Sequence, residues 1–132
     1  MKTFLIRFLF LDLPVLTWMG LIVHLASRPT SPPTTDLPLD KVMHFGAYAL
    51  LALGIARACH GRLGPSGTTF AAFTSLTVAS LHGLFIEIHQ MSLPHRSAEW
   101  ADLLADILGA GCCALAWWIF FRKPNRSEIE TG

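Results

Sequence analysis

Four apolar segments, each long enough to cross a lipid bilayer, follow one another along the chain. They cover about residues 4–26, 42–58, 68–90 and 101–121. A transmembrane helix needs roughly 17–25 predominantly apolar residues. Between Ile107 and Phe121 the last segment has no polar face at any helical phase, so it has no side suited to water. The pattern predicts an all-α polytopic membrane protein with four transmembrane helices.

The composition of the chain agrees with membrane embedding. Of the 132 residues, 52% are hydrophobic and only 14% are charged, whereas charged residues make up about 25% of ordinary soluble domains. So few polar side chains cannot coat the outer faces of a soluble helical bundle. The formal net charge of +1 offers no broad basic surface, so nucleic acid is not an expected partner. We interpret residues 1–132 as a single membrane domain.

The first apolar segment has two features of its own. A cleaved signal peptide has an apolar region of roughly 7–15 residues, and this segment is longer, so we predict a retained helix. Asp12 lies deep within it, and the sequence indicates neither a partner nor a function for this carboxylate. Pro14 predicts a kink beside it, with local hydration.

Positive charge predicts the orientation, because cytoplasmic loops of membrane proteins carry an excess of Lys and Arg. A cytoplasmic N-terminus puts seven basic residues inside, namely Lys2, Arg7, Arg57, Arg62, Arg122, Lys123 and Arg126. Three remain outside: Arg28, Lys41 and Arg96. Both termini are then cytoplasmic. The outer loops are a proline-rich extended connector, 27–40, and a compact turn, 91–99.

Under this topology, ionisable and polar residues gather at the outer ends of three helices. The set comprises Asp40, Lys41, His44 and Tyr48 on the second helix, Glu87 and Gln90 on the third, Arg96 in the following turn, and Asp102 and Asp106 on the fourth. Helical spacing puts positions 41, 44 and 48 on one face. The short turn makes the last two helices neighbours. We therefore expect one outward-facing polar pocket.

These residues also form a recognisable sequence pattern. The chain reads Asp40-Lys41-x-x-His44-Phe45-x-x-Tyr48, then Glu87-x-x-Gln90-x5-Arg96-Ser97-x4-Asp102-x-x-Ala105-Asp106-x-x-Gly109. Over about residues 40–111 it resembles the VanZ-like family of small bacterial membrane proteins. It departs from the family at Asp106, where many members have Asn, and at His95, where Gly is common. The resemblance implies a multi-pass protein of the bacterial cytoplasmic membrane. The family's namesake is associated with reduced susceptibility to the glycopeptide teicoplanin.

Glu87 is the strongest candidate for function, because a carboxylate on a membrane helix is costly unless it is paired, hydrated or used. Glu87 and His44 are candidate general bases, although neither is assigned as catalytic. Arg96 is expected to neutralise Glu87 or Asp102 or to bind a lipid phosphate, with simple loop packing as the alternative. His44, Glu87 and Asp102 lack the spacing of a known metal motif, so we expect no metal, and no cofactor is indicated.

Two functions fit this set of residues. The favoured one is a non-catalytic protein whose outer pocket binds a lipid headgroup, a cell-wall precursor or a protein partner. The alternative is a membrane-embedded enzyme acting on a lipid-linked substrate, with a carboxylate or His base. The alternative lacks an identifiable nucleophile, because Ser92 and Ser97 have no defined base. A purely structural bundle is the least favoured, and nothing in the sequence indicates an oligomeric state.

Overall fold

The structure is a computed structural model that describes residues 1–29 and 39–122, and these residues are helical apart from short connections. The helices are α1 (Lys2–Arg7), α2 (Leu13–Ala26), α3 (Leu39–Leu63), α4 (Thr68–Met91) and α5 (Trp100–Phe121). No strand occurs in the described residues. The all-α prediction is therefore confirmed. The connector at 30–38 and the basic residues Lys123 and Arg126 lie outside the described residues.

Three continuous helical stretches are long and apolar enough to cross a membrane. They are Lys2–Ala26, Leu39–Met91 and Trp100–Phe121. The second stretch contains α3 and α4, which are joined by a 3-10 turn at Gly64–Gly67. Gly64 has φ +66° there, a conformation that glycine adopts without the steric cost of a side chain. The apolar stretches fit a protein embedded in a lipid bilayer.

A π-helical segment, Phe8–Asp12, separates α1 from α2. Pro14 lies in the first turn of α2, but the helix is continuous from Lys2 to Ala26, so the missing N–H of Pro14 leaves the carbonyl of Phe10, four residues earlier, without its helical donor. Asp12 does have a partner, because its carboxylate accepts a hydrogen bond from Arg62 at the end of α3. The two residues are fifty positions apart, so no local sequence pattern could indicate the pair.

Small residues allow α3, α4 and α5 to pack closely. Ala52, Ala79 and Ala110 are completely buried, one on each helix. At Gly109, a Cβ atom would come within 2.2 Å of the Phe45 carbonyl oxygen, so the backbones of α5 and α3 nearly touch. Such close approach is typical of helix packing in membranes. It brings the polar residues at the helix ends within reach of one another.

Candidate functional site

The start of α3, the end of α4 and the start of α5 meet at one end of the bundle. The polar side chains from these three helix ends contact one another, and we call them the carboxylate cluster. It consists of Asp40, Glu87, Glu99, Asp102 and Asp106, together with Lys41 and His44. The turn at Gly64–Gly67 returns the chain, so that α4 ends beside the beginning of α3. The short connection after Met91 then starts α5 at the same end.

Lys41 lies among three carboxylates. Its Nζ is 2.8 Å from oxygens of both Asp40 and Glu99, and it also donates a hydrogen bond to Asp102. One oxygen from each of these carboxylates lies within 4.8 Å of the other two. The Lys41 ammonium contacts all three, so it supplies the positive charge that this group of oxygens requires.

Glu99 belongs to the cluster but was not among the predicted site residues. It lies just before α5 and donates its backbone N–H to Glu87, while its side chain contacts Lys41. A usable signal was present: Glu99 precedes Asp102 by three positions, and residues three apart share a face when a helix is extended by one turn. Its contact with Lys41 depends on the packing of α3 against α5, which the sequence pattern does not specify.

His44 joins the exposed and buried parts of the cluster. Its Nδ1 is 2.9 Å from Asp106 Oδ1, and its Nε2 is 3.8 Å from Asp102 Oδ2. The His44 side chain is 25% exposed, whereas the Asp106 side chain is completely buried. A buried carboxylate that bonds one ring nitrogen holds the imidazole in a defined orientation. The other nitrogen faces the more exposed Asp102.

The second oxygen of Asp106 has no hydrogen-bond partner among the described residues. It lies against Gly83 of α4, where a Cβ atom would be only 2.8 Å from Oδ2. The absence of a side chain at Gly83 therefore makes room for this carboxyl group. A buried acceptor without a donor has lost its hydration without compensation.

Glu87 connects α4 to α5 and is only 5% exposed. Its Oε2 accepts the backbone N–H of Glu99 at 2.8 Å. Its Oε1 has no hydrogen-bond partner among the described residues. One oxygen thus fixes the entry into α5, and the other is a second buried acceptor near the cluster.

Tyr48 forms a polar contact deeper in the bundle. Its hydroxyl lies 3.0 Å from His82 Nδ1, and both residues are buried. The two rings are also close, with centroids 5.8 Å apart. This contact therefore connects α3 to α4 below the carboxylate cluster. His82 was not among the predicted site residues.

Arg96 and Gln90 contact α2 instead of the carboxylates. Arg96 Nε donates to the Ala26 carbonyl at 2.9 Å, and Gln90 Nε2 reaches the same oxygen at 3.4 Å. Among the described residues, no carboxylate lies within ion-pair distance of Arg96. The expectation that Arg96 neutralises Glu87 or Asp102 is therefore wrong. The last carbonyls of a helix lack intrahelical donors. At the end of α2, Arg96 and Gln90 supply donors to the Ala26 carbonyl.

His44, Glu87 and Asp102, the set considered for a metal, do not converge closely enough to share an ion. Within residues 1–29 and 39–122, the group with mutually close ligand atoms is Asp40, Glu99 and Asp102. His44 and Glu87 do not belong to this group. The polar groups that meet at this end of the bundle are carboxylates, one ammonium and one imidazole.

A comparison with protein families places this geometry in context. The family model described as VanZ/LLP1 matches residues 4–121. The chain belongs to the VanZ/LLP1 family. The match begins in α1 and ends with α5, so it extends beyond the region 40–111 that carried the resemblance. No curated protein and no solved structure matches this VanZ/LLP1 chain.

Proposed function

We propose that this VanZ/LLP1 protein crosses the bacterial cytoplasmic membrane four times, with both termini in the cytoplasm. The break at Gly64–Gly67 leaves helices of 25 and 24 residues, each long enough to cross a bilayer. Arg57, Arg62 and Arg122 belong to the end of the bundle opposite the carboxylate cluster. The positive-inside rule then directs the cluster outward.

Cysteine accessibility tests this orientation. Cys59, Cys112 and Cys113 are replaced by serine, and single cysteines are introduced as Ser92→Cys or Ser66→Cys. In intact cells, a membrane-impermeant thiol reagent labels Ser92→Cys, whereas Ser66→Cys reacts only after the cells are opened. Labelling of Ser66→Cys alone in intact cells contradicts the orientation and puts the carboxylate cluster in the cytoplasm.

We infer that the carboxylate cluster binds a primary ammonium group on an envelope lipid or a lipid-linked cell-wall precursor. The observation that carries this proposal is the pair of buried, unpartnered acceptors, Glu87 Oε1 and Asp106 Oδ2. Acceptors require N–H or O–H donors, which an ammonium supplies and a phosphate diester does not. The five carboxyl groups also outnumber the two basic side chains, Lys41 and His44, which disfavours an anion. We place the entry at His44, which is partly exposed.

Two lipids of equal charge test the role of N–H donation. Phosphatidylethanolamine carries three ammonium N–H donors, and phosphatidylcholine carries none. A ligand that binds only the folded state raises its stability, so the first lipid should raise the Tm of the protein in detergent more than the second. Asp106→Asn should remove this difference because it replaces the free acceptor with a donor. Asp12→Asn, the charge-matched control, removes one carboxylate charge at the other end of the bundle, where Asp12 pairs with Arg62, and it should retain the difference.

Equal stabilisation of the wild type by both lipids contradicts ammonium recognition. A soluble amine taken from a cell-wall precursor, added as a competitor, distinguishes the two sources of ammonium. Loss of the phosphatidylethanolamine effect on its addition shows that the two amines compete for one site, and a competitor that acts at a lower concentration than the lipid is the better ligand.

We further propose that occupation of this site lowers susceptibility to teicoplanin. Membership of the VanZ/LLP1 family supports a role of this kind. A sensitised host expressing the wild type should tolerate more teicoplanin than one expressing Glu87→Gln at the same protein level. Equal tolerance of the two hosts would show that the carboxylate cluster does not determine teicoplanin susceptibility.

A second candidate function is catalysis on a lipid-linked substrate. The observation that favours it is the contact between His44 and the buried Asp106, because a carboxylate-oriented imidazole is a suitable general base. Incubation of the purified protein with lipid-linked cell-wall precursors should then yield a hydrolysed or transferred product. His44→Gln should abolish that product while leaving ammonium binding measurable.

A further inference from the structure

The end of the bundle opposite the carboxylate cluster contains a second set of polar contacts. Within the π-helical segment, the Phe10 carbonyl accepts a hydrogen bond from Arg57 Nη1 at 2.9 Å. Arg62 bonds both the Asp12 carboxylate and, at 3.0 Å, the Ala58 carbonyl. A π-helical turn interrupts the regular hydrogen bonding of an α-helix and is often found at functional sites. Two arginines of α3 therefore hold the irregular part of the N-terminal helix.

A cavity of about 400 Å³ lies beside these contacts. It is lined by Thr3, Phe4, Arg7, Phe8, Asp12 and Arg62. Its volume is within the range of small-ligand sites, which is roughly 300–1,000 Å³. The cavity combines two aromatic rings with two guanidinium groups, so it has both an apolar and a cationic part.

The charge of the cavity is not balanced by the protein. Asp12 is the only carboxylate among the lining residues, and it pairs with Arg62. In the part of the chain that the structure describes, no carboxylate lies within ion-pair distance of Arg7. Arg7 therefore offers the cavity a guanidinium group with its donors free for an anion.

We propose that this cavity binds the phosphodiester headgroup of an anionic phospholipid. A guanidinium group binds two phosphate oxygens at once in a planar arrangement. Phe4 and Phe8 supply apolar surface for the glycerol and the upper acyl chains, which a free phosphate lacks. The cavity lies among basic residues at one end of apolar helices, where lipid headgroups lie. This site is independent of the carboxylate cluster.

Lipid titration in detergent, followed by native mass spectrometry, tests the proposal. Phosphatidylglycerol should bind the wild type more tightly than phosphatidylcholine does. Arg7→Ala should weaken phosphatidylglycerol binding by about fivefold, as expected for one basic residue near anionic lipid. This variant should fold, because Arg7 forms no ion pair with the described residues. Asp12→Asn should strengthen binding, because it removes the negative charge of the cavity.

Arg28→Ala is the matched control, because it removes one positive charge from the other end of the bundle, where Arg28 contacts His24. Its affinity for phosphatidylglycerol should equal that of the wild type. If Arg28→Ala and Arg7→Ala lose equal affinity for phosphatidylglycerol, the loss reflects the net charge of the protein, and the proposed site is wrong. Inorganic phosphate in large excess should leave the bound lipid in place, and displacement by it would overturn the assignment to a lipid.

Discussion

The contact between Glu87 and the backbone of Glu99 can be tested by two substitutions that remove different parts of it. Glu87→Gln retains a carbonyl oxygen that can accept the Glu99 N–H, but it removes the negative charge. Glu87→Ala removes the acceptor altogether. The present bond is 2.8 Å long and is accepted by Glu87, which is only 5% exposed, so water does not easily replace it.

The expected costs follow from the two kinds of hydrogen bond. A bond to a charged group contributes about 1.5–3 kcal/mol, and one between neutral groups contributes about 0.5–1.5 kcal/mol. Glu87→Gln should therefore lower the free energy of unfolding by about 1 kcal/mol. Glu87→Ala should lower it by about 2–3 kcal/mol, because the Glu99 N–H loses its partner.

Equilibrium unfolding of the purified protein by SDS in mixed micelles, followed by circular dichroism, measures these differences. Ile88→Ala is the control, since Ile88 is the next residue of α4 and is 58% exposed. It should change the free energy of unfolding by less than either Glu87 variant. If Glu87→Ala is as stable as the wild type, Glu87 does not hold the start of α5, and our account of its contact with the Glu99 N–H fails.

Three further substitutions probe the packing around the site, with unfolding in detergent as the measurement. Gly109→Ala should destabilise by about 3 kcal/mol or fail to fold, because the new Cβ overlaps the Phe45 backbone; wild-type stability would contradict this close approach. Gly83→Ala should cost about 1–3 kcal/mol and displace Asp106 from His44; an unchanged His44 NMR signal would argue against that coupling. Tyr48→Phe should cost about 1–3 kcal/mol, because His82 loses its buried partner; a neutral effect would show that the bond contributes nothing.

The helical architecture was predictable because it depends on local properties. Long apolar segments separated by Pro, Gly and charged residues identify membrane helices whatever their tertiary arrangement. The convergence of Lys41, His44, Asp102 and Asp106 was also accessible, since short connections force successive helix ends together. The VanZ/LLP1 family match covers all four of these positions.

The specific partners were not predictable, because they depend on which helix faces meet. Arg96 has an obvious electrostatic partner in sequence, yet its donor satisfies the Ala26 carbonyl of α2. Asp12 lacks a local partner, yet Arg62 reaches it from α3. In both cases the decisive contact joins residues at least fifty positions apart, and sequence periodicity carries no information about such pairs.

Lipid retention is the most direct test of ammonium binding at the carboxylate cluster. The protein is released from nanodiscs containing equal amounts of phosphatidylethanolamine and phosphatidylcholine, and the lipid that stays bound is identified by native mass spectrometry. The wild type should retain phosphatidylethanolamine in preference, and Glu87→Gln and Asp106→Asn should each lose that preference while remaining folded. Equal retention of both lipids by the wild type, or an unchanged preference in both variants, would contradict the proposal.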